Sequence, residues 1–190
     1  MKPYNPLEKQ HLAEQIARVL LDRPRERLGS IESFEGAGVY VIYYSGPYPA
    51  YADLVRRDEP IYVGKAVPAG GRKGLVGLDE PAGPVLFRRL MEYGESIRQT
   101  EFIDEGDFEC QYLVVDDIWI PLAESLLIQK YRPIWIQEIQ GFGNHDPGSG
   151  RYQQQRSAWD TIHPGRPWAA RLQPNRKEAE LLERYGAGRR

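Results

Sequence analysis

Hydrophobic and polar positions alternate along the chain with two different periods, and the first of them is helical. Asn5 is placed to cap a helix, with Pro6 in its first turn and Glu8 completing a capping box. Apolar residues then recur at helical spacing, at Leu12, Ile16, Val19 and Leu20. We therefore predict an N-terminal helix that ends before Pro24.

The next apolar segment has the character of a strand. Gly38 to Tyr44, with the sequence GVYVIYY, is dense in β-branched and aromatic residues and is followed by Ser45-Gly46-Pro47. A second strand is predicted at residues 61–64, after a linker that contains three prolines. The glycine-rich stretch over residues 68–84 then predicts a long exposed loop, and loops of that length tend to be functional.

Both periods return further along the chain. A helical face is marked by Leu86, Leu90, Tyr93 and Ile97, and a half-buried strand by the alternating residues Phe108, Cys110, Tyr112 and Val114. Pro121 opens a mostly apolar helix that reaches about Lys130, and after Gly141 only residues 176–185 keep a helical pattern. The order predicts an α+β fold in which a small mixed or antiparallel sheet is flanked by helices.

Length and charge suggest how the chain is divided. A chain of 190 residues, 41% hydrophobic, suits one compact domain with appendages. We divide it into an N-terminal helical arm (1–35), a core (36–140) and a basic C-terminal extension (141–190), which holds nine Lys or Arg against five Asp or Glu. Such a basic tail often contacts a polyanion, although a solvated surface explains the same bias.

Other compositional features exclude several classes of protein. No apolar run approaches the roughly 18 residues that a membrane span needs, and charged residues interrupt the first thirty. Cys110 is the only cysteine, which excludes an internal disulfide and a thiolate-cluster zinc site. We expect a cytoplasmic protein that does not enter a membrane.

The candidate chemistry lies on these elements in a recognisable order. Two short motifs each occupy a predicted strand, namely Gly38-Val39-Tyr40 and Tyr62-Val63-Gly64, and Lys65 directly follows the second motif. The next predicted helix carries Arg88 and Arg89, and the later helix carries Glu124. This order resembles that of the GIY-YIG nucleases, metal-dependent enzymes that hydrolyse phosphodiester bonds. The resemblance implies that Tyr40 and Tyr62 organise or deprotonate the attacking water, and we take Tyr40 as the candidate base.

Glu124 is the candidate metal ligand. A carboxylate among apolar neighbours is costly unless it pairs, protonates or binds a cation. Mg²⁺ prefers one or two carboxylates together with water and phosphate oxygens, so one glutamate suits phosphodiester chemistry, with Mn²⁺ as a substitute ion. The alternative is that Glu124 only stabilises the first helical turn after Pro121 through the helix dipole.

Arg89 and the tyrosines have physical roles that do not depend on the family name. Arg89 shares a helical face with Tyr93, where its guanidinium could bind phosphate oxygens. Arg88 is the alternative if it, rather than Arg89, lies on the face of the helix that forms the site. Lys65 could lower the pKa of a nearby tyrosine, which otherwise titrates near ~10. The alternatives are a surface arginine whose stem covers apolar surface and ordinary buried strand tyrosines.

The resemblance is greatest to the GIY-YIG restriction endonucleases that cut GC-rich palindromes such as CCGCGG, because the run from Gly141 to Arg151 also matches that subgroup. Two positions depart from it: Tyr93 stands where a histidine is expected, and Ile136 where an asparagine is frequent. Asn144 or His145 could substitute in space.

A palindromic site predicts duplex DNA as substrate and a homodimer, since a twofold dimer presents the same contacts to each half-site. The DNA-binding candidates are Arg72, Lys73, Asn144, His145, Arg151, Gln154 and Arg156, each of which could equally be an ordinary surface residue. The competing functions are a repair or homing GIY-YIG nuclease, a DNA-binding scaffold without catalysis, and a small protein in which all these residues are structural.

Overall fold

A computed structural model describes residues 8–68 and 82–186 of the chain. Asn5, Pro6, Arg72 and Lys73 lie outside the described residues. In chain order the helices and strands are α1 Lys9–Leu21, β1 Glu26–Arg27, β2 Gly38–Tyr44, α2 Ala52–Arg57, β3 Tyr62–Ala66, α3 Val85–Arg98, β4 Phe108–Val114, α4 Ile120–Tyr131, α5 Ile134–Gln137, α6 Ala158–Ile162 and α7 Glu178–Tyr185. The α+β class predicted from the sequence is confirmed.

The four strands form one antiparallel sheet in the order β1-β4-β2-β3. Every residue of β2 is buried, as the continuous apolar sequence GVYVIYY requires of a strand covered on both faces. β3 lies at the edge of the sheet, and its Gly64 is paired with Tyr40 of β2. The two half-motifs of the sequence are therefore neighbours at one margin of the sheet.

Helices cover both faces of the sheet. On one face, Val39 and Val41 of β2 pack with buried residues of α1 and α4. On the other face, Tyr40 and Ile42 join a larger core with the predicted apolar side of α3. The segment after residue 140 adds Phe142, Trp159 and Ile162 to this second core, so part of it belongs to the packed interior.

Several local predictions need correction. The second strand continues beyond Gly64 to Ala66, and the predicted linker contains α2, which the prolines on either side of its six residues concealed. Val19 is 50% exposed, because α1 instead buries the stripe Ala13, Ala17 and Leu20. Val114, at the end of β4, is also exposed rather than half-buried, with 47% of its surface accessible.

Helix α6 is a further element that hydrophobic periodicity did not reveal. Ser157 caps it by accepting a hydrogen bond from the backbone amide of Asp160. Within the described ranges, no helix has both the length and the apolar character needed to cross a membrane.

Candidate active site

A cavity of about 400 Å³ opens beside the edge strand β3. Its lining includes all six residues proposed for catalysis from the sequence, namely Tyr40, Tyr62, Lys65, Arg89, Tyr93 and Glu124. They come from two strands and two helices, so only the folded chain brings them together. The cavity also contains Arg88 and Glu92, and among its described lining residues the cationic side chains outnumber the carboxylates.

The alternation of side chains along β3 explains how residues from both faces of the sheet line one cavity. Tyr62 and Lys65 are three positions apart on β3, so their side chains point to opposite faces. Tyr62 lies on the face covered by α3, whereas Lys65 lies on the face covered by α4. Because β3 is the outermost strand on its side of the sheet that the described residues form, both side chains can reach around the same margin.

Three tyrosine hydroxyls meet on the α3 side of this margin. Tyr40 donates a hydrogen bond of 2.8 Å to the hydroxyl of Tyr93, and the hydroxyl of Tyr62 lies 3.3 Å from that same oxygen. Burial raises the pKa of Tyr40 well above its usual value and also raises the pKa of Tyr62 and of Tyr93. Burial therefore disfavours the phenolate form of all three side chains, and the role of Tyr40 as the base remains a prediction that requires nearby cations to lower its pKa.

Gly64 leaves the space that the buried Tyr40 side chain occupies. A Cβ atom at Gly64 would lie 2.4 Å from the hydroxyl oxygen of Tyr40 and 2.6 Å from its Cζ. Gly38 has a comparable role at the start of β2, where a Cβ would lie 1.9 Å from the carbonyl oxygen of Leu113. The glycines of both half-motifs thus permit close approaches that any side chain would prevent.

Lys65 and Glu124 form an ion pair on the α4 side of the margin. The Nζ atom of Lys65 lies 2.6 Å from Oε2 of Glu124, and the two side chains are 29% and 18% exposed. Oε1 of Glu124 makes no hydrogen bond with the described part of the chain. The glutamate on an apolar helix is therefore neutralised by a lysine, and one carboxylate oxygen remains available to a ligand.

The donor set of the cavity fits a divalent ion that keeps much of its water. Within residues 8–68 and 82–186, no three His, Cys, Asp or Glu side chains form a preformed metal cluster. Mg²⁺ needs no such cluster, because it is often held by one or two carboxylates with water and phosphate oxygens completing its coordination. Glu124, partly buried and facing the cavity, is the carboxylate that could hold it.

Arg89 faces the cavity from α3 and is bound on two sides. Its Nη1 lies 3.0 Å from Oε2 of Glu92 and 2.6 Å from Nε2 of His145. Because a guanidinium can only donate, Nε2 of His145 must accept this hydrogen bond, which leaves the ring proton on Nδ1. Arg88 is the more exposed of the two arginines and lines the same cavity.

The two departures from the family pattern have different consequences. Tyr93 is buried at the centre of the tyrosine cluster, where its hydroxyl contacts both other hydroxyls. Ile136 packs in the core on the α1 and α4 face of the sheet and is not among the cavity residues. An imidazole nevertheless reaches this region, because the loop after Gly141 brings His145 to Arg89.

The remaining DNA-binding candidates are spread over the C-terminal segment. Asn144 is exposed and lines an open groove of about 790 Å³ that shares Arg88 and Tyr93 with the catalytic cavity. Arg151 and Gln154 are exposed, whereas Arg156 is partly buried and donates a hydrogen bond to the carbonyl of Ala169. The DNA-contacting role of this set remains a prediction, and Arg156 also has a structural contact.

Three residues near the site were not identified from the sequence. Glu92 pairs with Arg89, and its i,i+3 spacing from that arginine was the available signal. Gly143 lines the cavity, and a Cβ there would lie 3.0 Å from the Tyr62 hydroxyl and 3.4 Å from that of Tyr93. Arg166 is buried behind the loop, and no local sequence pattern marks it.

Paired strands carrying tyrosines, an arginine on one helix and a carboxylate on another form the arrangement expected of the GIY-YIG class. Residues 32–185 match the family described as the Eco29kI GIY-YIG domain, so the chain belongs to that family and is a nuclease. Eco29kI itself is a restriction endonuclease that cuts CCGCGG. A comparison with curated protein sequences gave no match.

Proposed function

We propose that this protein is a Mg²⁺-dependent restriction endonuclease that hydrolyses both strands of duplex DNA at a short GC-rich palindrome. The observation that carries the proposal is the convergence of Tyr40, Tyr62, Arg89 and Glu124 in one cavity. The family match supports the nuclease activity, and the restriction specificity of Eco29kI supports a palindromic target.

The side chains divide the work of phosphodiester hydrolysis. Arg89 is placed to exchange its contacts with Glu92 and His145 for the oxygens of the scissile phosphate, where it would stabilise the charge that develops in the transition state. The hydroxyls of Tyr40 and Tyr62 would orient the attacking water on the α3 side of the cavity, and Tyr40 is the candidate to accept the proton that the water loses. Tyr93 holds these two hydroxyls together.

Glu124 would hold the metal ion, and a bound divalent cation supplies charge neutralisation at the phosphate. Lys65 keeps the carboxylate of Glu124 directed into the cavity through their ion pair. Because Lys65 also adds positive charge beside the phosphate position, it favours substrate binding as well. Mn²⁺ is expected to replace Mg²⁺, since both ions accept carboxylate and phosphate oxygens.

A palindromic target is most simply met by a homodimer in which each protomer cuts one strand. We propose that Asn144, His145, Arg151 and Gln154 contact the DNA from the segment that follows α5. Arg72 and Lys73, which lie outside the described residues, are proposed as further DNA contacts. Arginine and lysine contacts to phosphate release counterions, so affinity should fall as salt rises.

The deciding experiment compares Glu124→Gln with the wild-type protein. Glutamine has the same shape but no charge, so cleavage should fall by about 100-fold or more as metal stabilisation is lost, while DNA affinity changes little. The matched control is Asp117→Asn, which removes an exposed carboxylate just before α4. Cleavage is measured on long duplex DNA of diverse sequence with Mg²⁺, with Mn²⁺ and with EDTA, and the product ends are sequenced.

The product ends separate the proposal from its alternatives. Metal-dependent fragments with a shared palindromic end establish a restriction endonuclease and give its site. Cleavage at DNA junctions or at long asymmetric sites would instead indicate a repair or homing nuclease. DNA that is bound but never cut, by wild type and variants alike, would identify a scaffold in which the departures at Tyr93 and Ile136 have abolished catalysis.

A further inference from the structure

A buried ion pair lies directly behind the loop that delivers residues 143–145 to the cavity. Arg166 and Asp160 have side chains that are each 1% exposed, and Nε of Arg166 lies 2.6 Å from Oδ1 of Asp160. The guanidinium also lies 4.5 Å from the ring of Trp159 and 4.7 Å from that of Trp168. A cation so enclosed has one orientation, fixed by a carboxylate and two indoles.

Both Nη atoms of Arg166 bind the backbone of one loop. Nη2 donates to the carbonyl oxygen of Gly141 at 2.9 Å, and Nη1 donates to the carbonyl oxygens of Phe142 at 3.0 Å and Asn144 at 3.2 Å. A single planar side chain thus fixes three of four consecutive residues, 141–144. An arginine can do this because its donors point in several directions within one plane.

The loop held in this way contacts the catalytic groups at three of its positions. The ring of Phe142 stacks on Tyr93 with a centroid distance of 4.5 Å, and Gly143 lines the cavity against the hydroxyls of Tyr62 and Tyr93. His145 follows, with Nε2 at 2.6 Å from Nη1 of Arg89. The position of the loop therefore determines where both the tyrosine hydroxyls and the arginine can lie.

We infer that Arg166, anchored by Asp160, is a positioning residue for cleavage that acts through the loop of residues 141–145. This inference rests on the proposed nuclease function and extends it to a residue outside the cavity. It assigns the buried ion pair a role in the rate of reaction in addition to its part in packing.

Arg166→Lys is the direct test, because lysine keeps the positive charge for Asp160 but has only three donors, too few to bind Asp160 and all three carbonyl oxygens at once. Single-turnover cleavage should slow by about 10- to 100-fold, the effect of displacing reacting groups by ~1 Å. Hydrogen exchange should accelerate at amides 141–146 and stay unchanged in β2. The matched control is Asn175→Ala, which removes another C-terminal side-chain hydrogen bond, that to the carbonyl of Arg156.

A double-mutant cycle separates positioning from general destabilisation. If Arg166 acts through the loop, its replacement should slow the His145→Ala protein by a much smaller factor than it slows the wild type. Equal factors in both backgrounds, or unchanged exchange at amides 141–146, would overturn the inference. If Arg166→Lys does not fold, the same measurements on Asp160→Asn decide, since asparagine keeps an oxygen for Nε but loses the charge.

The two proposals fail in different ways. If the wild-type protein cleaves DNA and the variants Arg166→Lys and Asp160→Asn cleave it at the rate of the control, the positioning role is refuted and the proposed nuclease function is not. A wild-type protein that cuts no DNA refutes the proposed function, and with it the catalytic purpose of the ion pair.

Discussion

Gly64→Ala tests how closely the tyrosine cluster is fitted to the edge strand. The added Cβ would lie 2.4 Å from the Tyr40 hydroxyl and 2.6 Å from its Cζ, whereas ordinary van der Waals contacts begin at 3.4 Å. Tyr40 would therefore have to move by about 1 Å, which is enough to lose its 2.8 Å hydrogen bond to Tyr93. We expect cleavage to slow by about 100-fold and the free energy of unfolding to fall by about 1–3 kcal/mol.

The assay is single-turnover cleavage, read beside a denaturant titration that measures stability. Gly94→Ala is the matched control. Its Cβ would also approach an oxygen within 3 Å, but that oxygen ends the flexible side chain of Glu105, which is paired with Arg98. The control should cleave at close to the wild-type rate. If Gly64→Ala cleaved as fast as the control, the hydroxyl of Tyr40 would not need its observed position, and our account of the motif glycine would be wrong.

Two further predictions concern the same group of side chains and their burial. Gly143→Ala places a Cβ 3.0 Å from the Tyr62 hydroxyl, which is a longer distance than the 2.4 Å contact expected in Gly64→Ala. Single-turnover cleavage should therefore slow by only about tenfold. A larger loss of rate in Gly143→Ala than in Gly64→Ala would contradict the geometry. Burial raises the pKa of Tyr43 and of Tyr44 to about 12, so the stability they contribute is complete below the unfolded value of about 10 and declines as pH rises towards 12. Thermal unfolding should thus occur at a lower temperature at pH 11 than at pH 9, and an unchanged Tm would refute this linkage.

The elements predictable from the sequence were those with a strong and continuous period. β2 could be predicted because seven apolar or small residues in succession suit a strand buried on both faces. α3 could be predicted because Leu86, Leu90 and Ile97 fall on one helical face. The short helices α2 and α6 escaped because five or six residues do not complete two helical turns, although Ser157 and Asp160 formed a capping pattern before α6.

The chemical components of the site were predictable, but their contacts were not. Lys65 was expected beside the tyrosines, yet strand alternation turns it to the opposite face, where α4 supplies Glu124 as its partner. That pairing depends on β3 being an edge strand, a property of sheet order that no local pattern reveals. The approach of His145 to Arg89 joins residues 56 positions apart, and such contacts follow only from the tertiary fold.

The position of the imidazole is one point at which this chain departs from the pattern it resembles. A histidine on α3 would be held rigidly by the helix, whereas His145 is held by a loop whose backbone depends on Arg166. The same segment contributes Phe142 and Trp159 to the core beneath the cavity. Removing the C-terminal segment would therefore expose the core and take His145 away from Arg89, in addition to any effect on DNA binding. The basic extension and the nuclease core are thus coupled through the site, and cleavage should respond to changes in either.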